Sequence, residues 1–324
     1  MAKRVLLAGF GFMGQVHAYN ILQNPDLELC GIVDAANPGD LLNSRSGNLN
    51  VERVTWNMIR DIPYFDRLSD GLMQVKPDAV VIATPTRFHY EMCLDALNAG
   101  CHVFTEKPVC LEVEKCRNLT AVAKERKQVL MVGHCVRFSP YFLVLKEAFD
   151  SGKYGGLQYL HMTRYTGVPG WGCWTDPATA SKSGGALYDL VIHDIDCARA
   201  LAGMPDEICT APYIAEKYGR MLVDTIWRYK SGLIVHIEGG FIQPSSVPFH
   251  CDYTAVFEKA TIYTDHASMR LCTQEGEKPI KWEDNTPMHT AEMNAFARYI
   301  AEGEMPYECS GEDALETLKL MARL

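Results

Sequence analysis

RVLLAGFGFMGQVHAYNILQNPDLELCGIVD, residues 4 to 34, decides how the first half of the chain folds. It opens on a short apolar run, 4–8, stopped by glycine. Residues 15–24 then carry apolar side chains at helical spacing until Pro25 ends them, and 27–34 form a second strand-like run. Strand, glycine turn, helix and strand within about 30 residues make a βαβ unit. At the turn stand Gly9, Phe10, Gly11, Phe12, Met13 and Gly14. In this GxGxxG pattern the first glycine permits the tight turn and the second lets backbone approach a pyrophosphate. The third lets helix and strand pack closely, with the helix N-terminus facing the phosphate charge. Asp34 ends the second strand about 20 residues past the last glycine, where a carboxylate accepts hydrogen bonds from the adenosine ribose. The combination predicts a dinucleotide site. A carboxylate at this position repels a 2′-phosphate, and Ala35, Ala36 and Asn37 carry no cation to receive one, so NAD is favoured over NADP. Arg45, on a longer loop, acts against that preference if it folds back.

The alternation continues. Strand-like runs at 78–85 and 102–108 bracket a helix, HYEMCLDALNAG, and 128–134 follows another, EVEKCRNLTAVAKER. Such a series predicts a doubly wound parallel sheet, a Rossmann domain over 1–133. Residues 35–77 are longer than a bare connection and carry no readable chemistry.

Bulk properties narrow the function. A chain of 324 residues, 48% hydrophobic, exceeds one ordinary domain and supports two packed cores. With 40 acidic against 31 basic residues, net charge −9 and no run of like charge, it offers neither a nucleic acid nor an anionic membrane a binding surface, which leaves small-molecule work. Its 12 cysteines are scattered singly, without CxxC or the paired Cys/His spacing of a zinc site, and read as buried reduced thiols, so no metal is expected. The N-terminal apolar run is too short for a signal segment or a membrane span, so a cytoplasmic location is expected.

Beyond about residue 150 the pattern changes. LQYLHMTRYTG, EICTAPYIAEK, MLVDTIWRYK, LIVHIEGGFIQ, DYTAVFEKATIYTD and MRLCTQEG are strand candidates, several of them consecutive with no helix between. They predict a mostly antiparallel sheet, open on one face or packed on a partner, in an α+β domain over 134–324 whose final helix is free to pack back on the first domain. Apolar strands on such a face favour a homodimer or homotetramer.

One helix there is unusual. In GGALYDLVIHDIDCARALAG, residues 184–203, a wheel at 100° per residue collects Leu187, Val191, Ile195, Ala198 and Ala202 in one stripe and sets Asp189, His193 and Asp196 opposite. Asp189 and His193 are four apart, so they lie on adjacent turns. A carboxylate there orients the imidazole and favours its protonated form, as a group that takes a proton near neutral pH requires. Asp194 falls near the apolar stripe, where a carboxylate needs a donor, and reads as structural.

GFGFMG, the tripeptide Glu106-Lys107-Pro108 that ends AGCHVFTEKP, and GGALYDLVIHDID together resemble the Gfo/Idh/MocA family of oxidoreductases, which includes glucose-fructose oxidoreductase and inositol dehydrogenases. VVIATPTRFHYEMCLDALNAGCHVFTEKP is similar to the family throughout. The resemblance covers most of 1–205 and is general over the C-terminal sheet, while 35–77 exceeds the family's usual connection. It implies a Rossmann domain, an open-faced sheet used for oligomerisation, and a sugar or polyol site between them. Lys107, Asp189 and His193 match the family's catalytic set. Oxidising a secondary alcohol requires a base for the hydroxyl proton and a cation for the developing alkoxide. His193 is the expected base, Asp189 its orienting partner and Lys107 the polarising cation. Thr84, Pro85, His89 and Glu106 are expected beside the cofactor, and Cys135, Trp171 and Trp174 beside the substrate, with the tryptophans as an apolar platform under a sugar ring. The expected function is an NAD-dependent dehydrogenase of a sugar, inositol or related polyol. The alternatives are an NAD-dependent glycoside hydrolase of the same architecture and a non-catalytic dinucleotide-sensing regulator, the latter disfavoured by the complete Lys, Asp and His set.

Overall fold

Apolar runs near the N-terminus pair into a parallel sheet. The computed structural model describes residues 1–42, 51–170, 172–211, 213–215, 219–265, 268–304 and 308–324. By its contacts the chain divides into two units, Met1–Cys135 with Pro287–Glu316 and Val136–Thr286 with Thr317–Leu324. No helix among the described residues is long and apolar enough to cross a membrane.

The first unit contains β1 (Lys3–Ala8), α1 (Phe12–Gln23), β2 (Leu27–Val33), the single-turn helices α2 (Pro38–Leu41) and α3 (Trp56–Ile59), β3 (Tyr64–Phe65) and α4 (Leu68–Val75). Then come β4 (Ala79–Ile82), α5 (His89–Asn98), β5 (His102–Glu106), α6 (Val113–Glu125) and β6 (Leu130–Gly133). The strands run β3-β2-β1-β4-β5-β6, every pair parallel. Val5 to Ala8 and Ala79 to Ile82 are wholly buried, which is why these strands read as unbroken apolar runs: both faces of the sheet are covered. The chain order reverses at β1, between β2 and β4, and open α/β sheets bind ligands at the carboxyl edge of such a switch point. Among its described residues the stretch 35–77, opaque in sequence, adds the edge strand β3, two single-turn helices and α4; Arg45 lies outside the described residues.

The second unit contains α7 (Pro140–Ser151), β7 (Leu157–Gly167), the single-turn α8 (Pro177–Ala180), a π-helical turn at Leu187–Val191 continuing into α9 (Ile192–Ala202), and β8 (Glu207–Thr210). It then runs β9 (Tyr213–Ala215), β10 (Gly219–Arg228), β11 (Ile234–Gln243), β12 (His250–Phe257), β13 (Thr261–Asp265), β14 (Ser268–Thr273) and β15 (Gly276–Ile280). The order is β15-β14-β13-β12-β7-β11-β10-β8, with β9 also on β10, and all pairs are antiparallel except β7 with β11. Alternation sorts the two faces. Leu160, Met162, Val235 and Ile237 are buried while His161, Thr163, His236 and Glu238 are half-exposed, as a sheet with one packed and one open face requires. Polar β15 was not expected; it lies at the sheet edge, where Pro279 costs no ladder hydrogen bond.

The expected second domain, 134–324 with a final helix free to pack back on the first, keeps Thr317–Leu324 but loses 287–316 to the first unit. There α10 (Met288–Glu302) buries Met293, Phe296, Ala297 and Ile300 and packs against α1 and β1. Phe296 meets Phe104 of β5 edge-on at 5.7 Å, Thr290 donates to Asn20 at 2.7 Å, and Asn24 donates to Asn294 at 2.8 Å. Val132 N–H donates to the Cys309 carbonyl at 2.8 Å, just before α11 (Gly311–Met321). This surface of the parallel sheet is covered by a segment distant in sequence.

Candidate functional site

Each glycine of the turn between β1 and α1 has a different neighbourhood. Gly9 sits at φ +92°, and a Cβ there would lie 2.6 Å from the Ala83 carbonyl; one at Gly14 would lie 2.0 Å from the Gly9 oxygen. Those two glycines are required by the protein's own packing. A Cβ at Gly11 would meet no protein atom within 4 Å, so the small residue leaves space above the helix start. Helix α1 carries no side-chain cap and no acidic residue in its first turn, so among the described residues its leading N–H groups are left for an anion. Phe12 and Met13, half-exposed, begin that turn. Phe10 is different: its side chain is buried and its N–H donates to Asp34 Oδ2 at 2.7 Å, so it shapes the turn. Asp34 also accepts from Ala36 N–H at 3.0 Å, and Tyr64 donates to its carbonyl at 2.6 Å, which fixes the carboxylate at the end of β2. These residues fit a dinucleotide: phosphates over Gly11 and the helix start, ribose hydroxyls at Asp34.

Lys107, half-exposed, follows β5 at the carboxyl edge of the same sheet. Its backbone N–H donates to Glu106 Oε2 at 3.2 Å, and Glu106 Oε1 lies 2.8 Å from Nε2 of the fully buried His17. Burial alone would raise the Glu106 carboxyl; the hydrogen bond from His17 and the charges of His17, Lys107 and His289 overcome it and hold the carboxyl at about 2. Behind it His289 Nδ1 lies 3.0 Å from Glu292 Oε1, both residues buried. Glu106 is therefore an anchor for the Lys107 backbone.

Thr84 is half-buried and Pro85 exposed in the turn after β4. His89 differs from expectation. It is only 1% exposed, with Nδ1 2.8 Å from the Pro108 carbonyl and Nε2 2.7 Å from the Thr84 carbonyl. Burial pushes its pKa down against the pull of both carbonyls. Its ring ties the turn carrying Thr84 to the one carrying Lys107, so it is corrected from a cofactor-lining residue to a strut. Cys135 is buried at the end of the unit.

In the second unit the helix is buried on more sides than a two-faced wheel implies. Asp194 is wholly buried and accepts two bonds from Arg164, at 2.8 and 2.9 Å. Burial pushes its carboxyl up and the guanidinium pulls it back; because a guanidinium keeps its proton, the pair is ionised near neutrality. Asp196 was expected on the open side. It is buried instead, bidentate with Arg137 at 2.6 and 3.0 Å and accepting from the Thr317 hydroxyl at 2.7 Å. Arg137, two residues after Cys135, belongs to this core pair.

Asp189 and His193 remain half-exposed. Asp189 lies inside the π-helical turn, and such insertions recur at functional sites because they re-aim side chains. Trp174 Nε1 donates to Asp189 Oδ2 at 2.9 Å, and its ring packs edge-on against Phe241 at 4.6 Å. Trp174 is 6% exposed, so it serves as a hydrogen-bonded support for Asp189, which corrects the expectation of an exposed platform under a sugar ring. Trp171 lies outside the described residues.

Sequence reasoning missed three residues. His17 passes as one more member of the helical run; its only signal is its place three residues after Gly14. Tyr64 orients Asp34 from an edge strand with no readable pattern. Arg53, from the same opaque stretch, places its guanidinium 5.2 Å over the Phe12 ring and brings a cation to the glycine turn.

Comparison with known proteins agrees with both units. The family model for the Gfo/Idh/MocA oxidoreductase family, NAD-binding Rossmann fold, matches residues 3–134, and that for a Gfo/Idh/MocA C-terminal domain matches 142–267. The chain is 32% identical over 321 residues to scyllo-inositol 2-dehydrogenase (NAD(+)) of Bacillus subtilis (strain 168), covering 94% of this chain and 87% of that protein. It is 34% identical over 206 residues to D-glucoside 3-dehydrogenase of Escherichia coli (strain K12), covering 62% of this chain and 54% of the other, about half of that relative's length. The solved structure of UDP-N-acetylglucosamine 3-dehydrogenase from Acidithiobacillus ferrooxidans has a TM-score of 0.80 at 20% identity over 100% of this chain and 97% of that one, which shows a common fold. The chain belongs to the Gfo/Idh/MocA oxidoreductase family, and its first unit is that family's NAD-binding Rossmann fold.

Proposed function

We propose that the chain is an NAD-dependent dehydrogenase that oxidises a secondary hydroxyl of a sugar, inositol or related polyol. The observation that carries this reading is the contrast along one helix. Asp194, Asp196 and Arg199 are buried in ion pairs and hydrogen bonds, whereas Asp189 and His193 stay half-exposed, with Asp189 steadied by the Trp174 indole. Named relatives act on inositol and on glucosides, which supports the substrate class.

NAD, when bound, supplies the hydride acceptor. The chain's residues do the rest. Gly11 and the start of α1 receive the pyrophosphate, and Asp34 receives the ribose hydroxyls. His193 takes the hydroxyl proton, Asp189 holds the ring in the orientation and tautomer for that transfer, and Lys107 stabilises the negative charge developing on oxygen. The Glu106 carboxylate, kept ionised by His17, holds the Lys107 backbone in place.

The test is a panel of polyols, sugars and glycosides followed at the NADH absorbance with NAD and NADP in parallel. Turnover with NAD is expected, with kcat reduced about 10²- to 10⁴-fold in His193→Ala. No NADH from any compound, or an unchanged rate in His193→Ala, refutes the proposal. Net glycoside hydrolysis without net NADH assigns the hydrolase instead.

A further inference from the structure

On the open face of the second unit's sheet, three metal-ligating side chains converge from strands β7 and β11. His161 and His236 are direct cross-strand partners in the parallel pairing, and their rings stack with centroids 4.6 Å apart and planes 13° from parallel. Glu238 follows His236 by two positions, so it projects from the same face. One donor atom from each of His161, His236 and Glu238 lies within 4.8 Å of the others. We propose that these residues form a binding site for a borderline divalent cation of the Zn²⁺, Co²⁺ or Ni²⁺ class, outside the dehydrogenase machinery.

The surroundings have the features such a site requires. Nε2 of His161 is shielded from solvent and lies 3.3 Å from Glu238 Oε1, yet it makes no hydrogen bond there. An imidazole nitrogen and a carboxylate held together without a hydrogen bond are a pair that a cation satisfies. Nε2 of His236 lies 2.8 Å from Asp224 Oδ1 on β10, which leaves Nδ1 for the metal; a carboxylate behind a ligating imidazole is the usual outer support of such sites. Two imidazoles and one carboxylate suit Zn²⁺, Co²⁺ or Ni²⁺ and are a poor set for Mg²⁺ or Ca²⁺, which take oxygen. A tetrahedral ion with bonds of about 2.0–2.1 Å asks its donors to close to roughly 3.4 Å. The side chains of His161 and Glu238 are 29% and 30% exposed and have room to turn. The histidines stand 75 positions apart, which hides the site in sequence; the strand pairing reveals it.

The test is titration of the full-length protein with Co²⁺, read by visible absorption and calorimetry, with Zn²⁺ as competitor. One equivalent is expected to give a Co²⁺ spectrum without a thiolate charge-transfer band, displaced by Zn²⁺. His161→Gln, His236→Gln and Glu238→Gln are each expected to weaken binding at least as much as Asp224→Asn, for which a loss of about 10- to 100-fold is expected. Unchanged circular dichroism verifies that the variants fold. Absence of saturable Co²⁺ binding, a thiolate band, or full affinity in the folded His161→Gln protein overturns the proposal. None of these outcomes depends on the dehydrogenase assignment, because the readout is the bound ion.

Discussion

A single methyl group separates two kinds of glycine in the turn after β1. At Gly11 an added Cβ meets no protein atom, whereas at Gly14 it would lie 2.0 Å from the Gly9 oxygen. Gly11→Ala is therefore expected to fold and melt like the parent while its NAD dissociation constant rises about tenfold or more, a loss of roughly 1.4 kcal/mol or more. Gly14→Ala is expected to lose about 1–3 kcal/mol or more of stability through overpacking. Thermal melts alongside fluorescence titration with NAD separate the two. Spacing alone made these glycines legible, since each role follows from its distance along the motif. The partners were not legible. Phe10 directs its N–H to Asp34, and His89 ties two carbonyls together, because contacts across 24 and 19 residues leave no local mark. Trp174 misled for a related reason: an aromatic in a loop suggests a ligand surface until a carboxylate 15 residues on claims its N–H.

The helix from Leu187 to Ala202 shows the same limit for an entire element. Its apolar stripe was readable and so was the need of Asp194 for a donor, but a uniform wheel contains no π turn and put Asp196 on the open side. The two arginines that neutralise the acids stand 59 and 30 residues away. Removing one member of such a pair strands the other. Asp194→Ala is expected to cost about 3–5 kcal/mol, because the Arg164 guanidinium is left buried and uncompensated. Urea unfolding checks this, and a loss below about 1 kcal/mol excludes the bidentate pair as a support of the helix. Strands were read well wherever one face is packed, because alternation is then imposed by burial. The parallel pairing of β7 with β11 was not, since no turn joins them.

At the scale of the molecule, the carboxylate under Lys107 links stability to acidity. Glu106 is held at about 2, below the roughly 4.3 of an unfolded chain. A depressed folded pKa contributes stability that is present above the unfolded value and is lost as pH falls from about 4 toward 2. Glu106→Gln lacks that contribution, so it is expected to be less stable than the parent at pH 7 and to lose less on acidification through this window. Unfolding midpoints at pH 7, 4 and 3 test the sign, and identical slopes in the two proteins would exclude the linkage. The two-domain division was legible from the change in pattern near residue 150, but nothing local marks 287–316 as belonging with the first unit. That return has a consequence for synthesis. The ribosome delivers α10 only after all the strands of the second unit. A nascent chain halted at residue 286 already carries the complete glycine turn but lacks Phe296 to cover Phe104. The nucleotide-binding portion, although made first, must therefore finish among the last, and until then it is a natural client for chaperones.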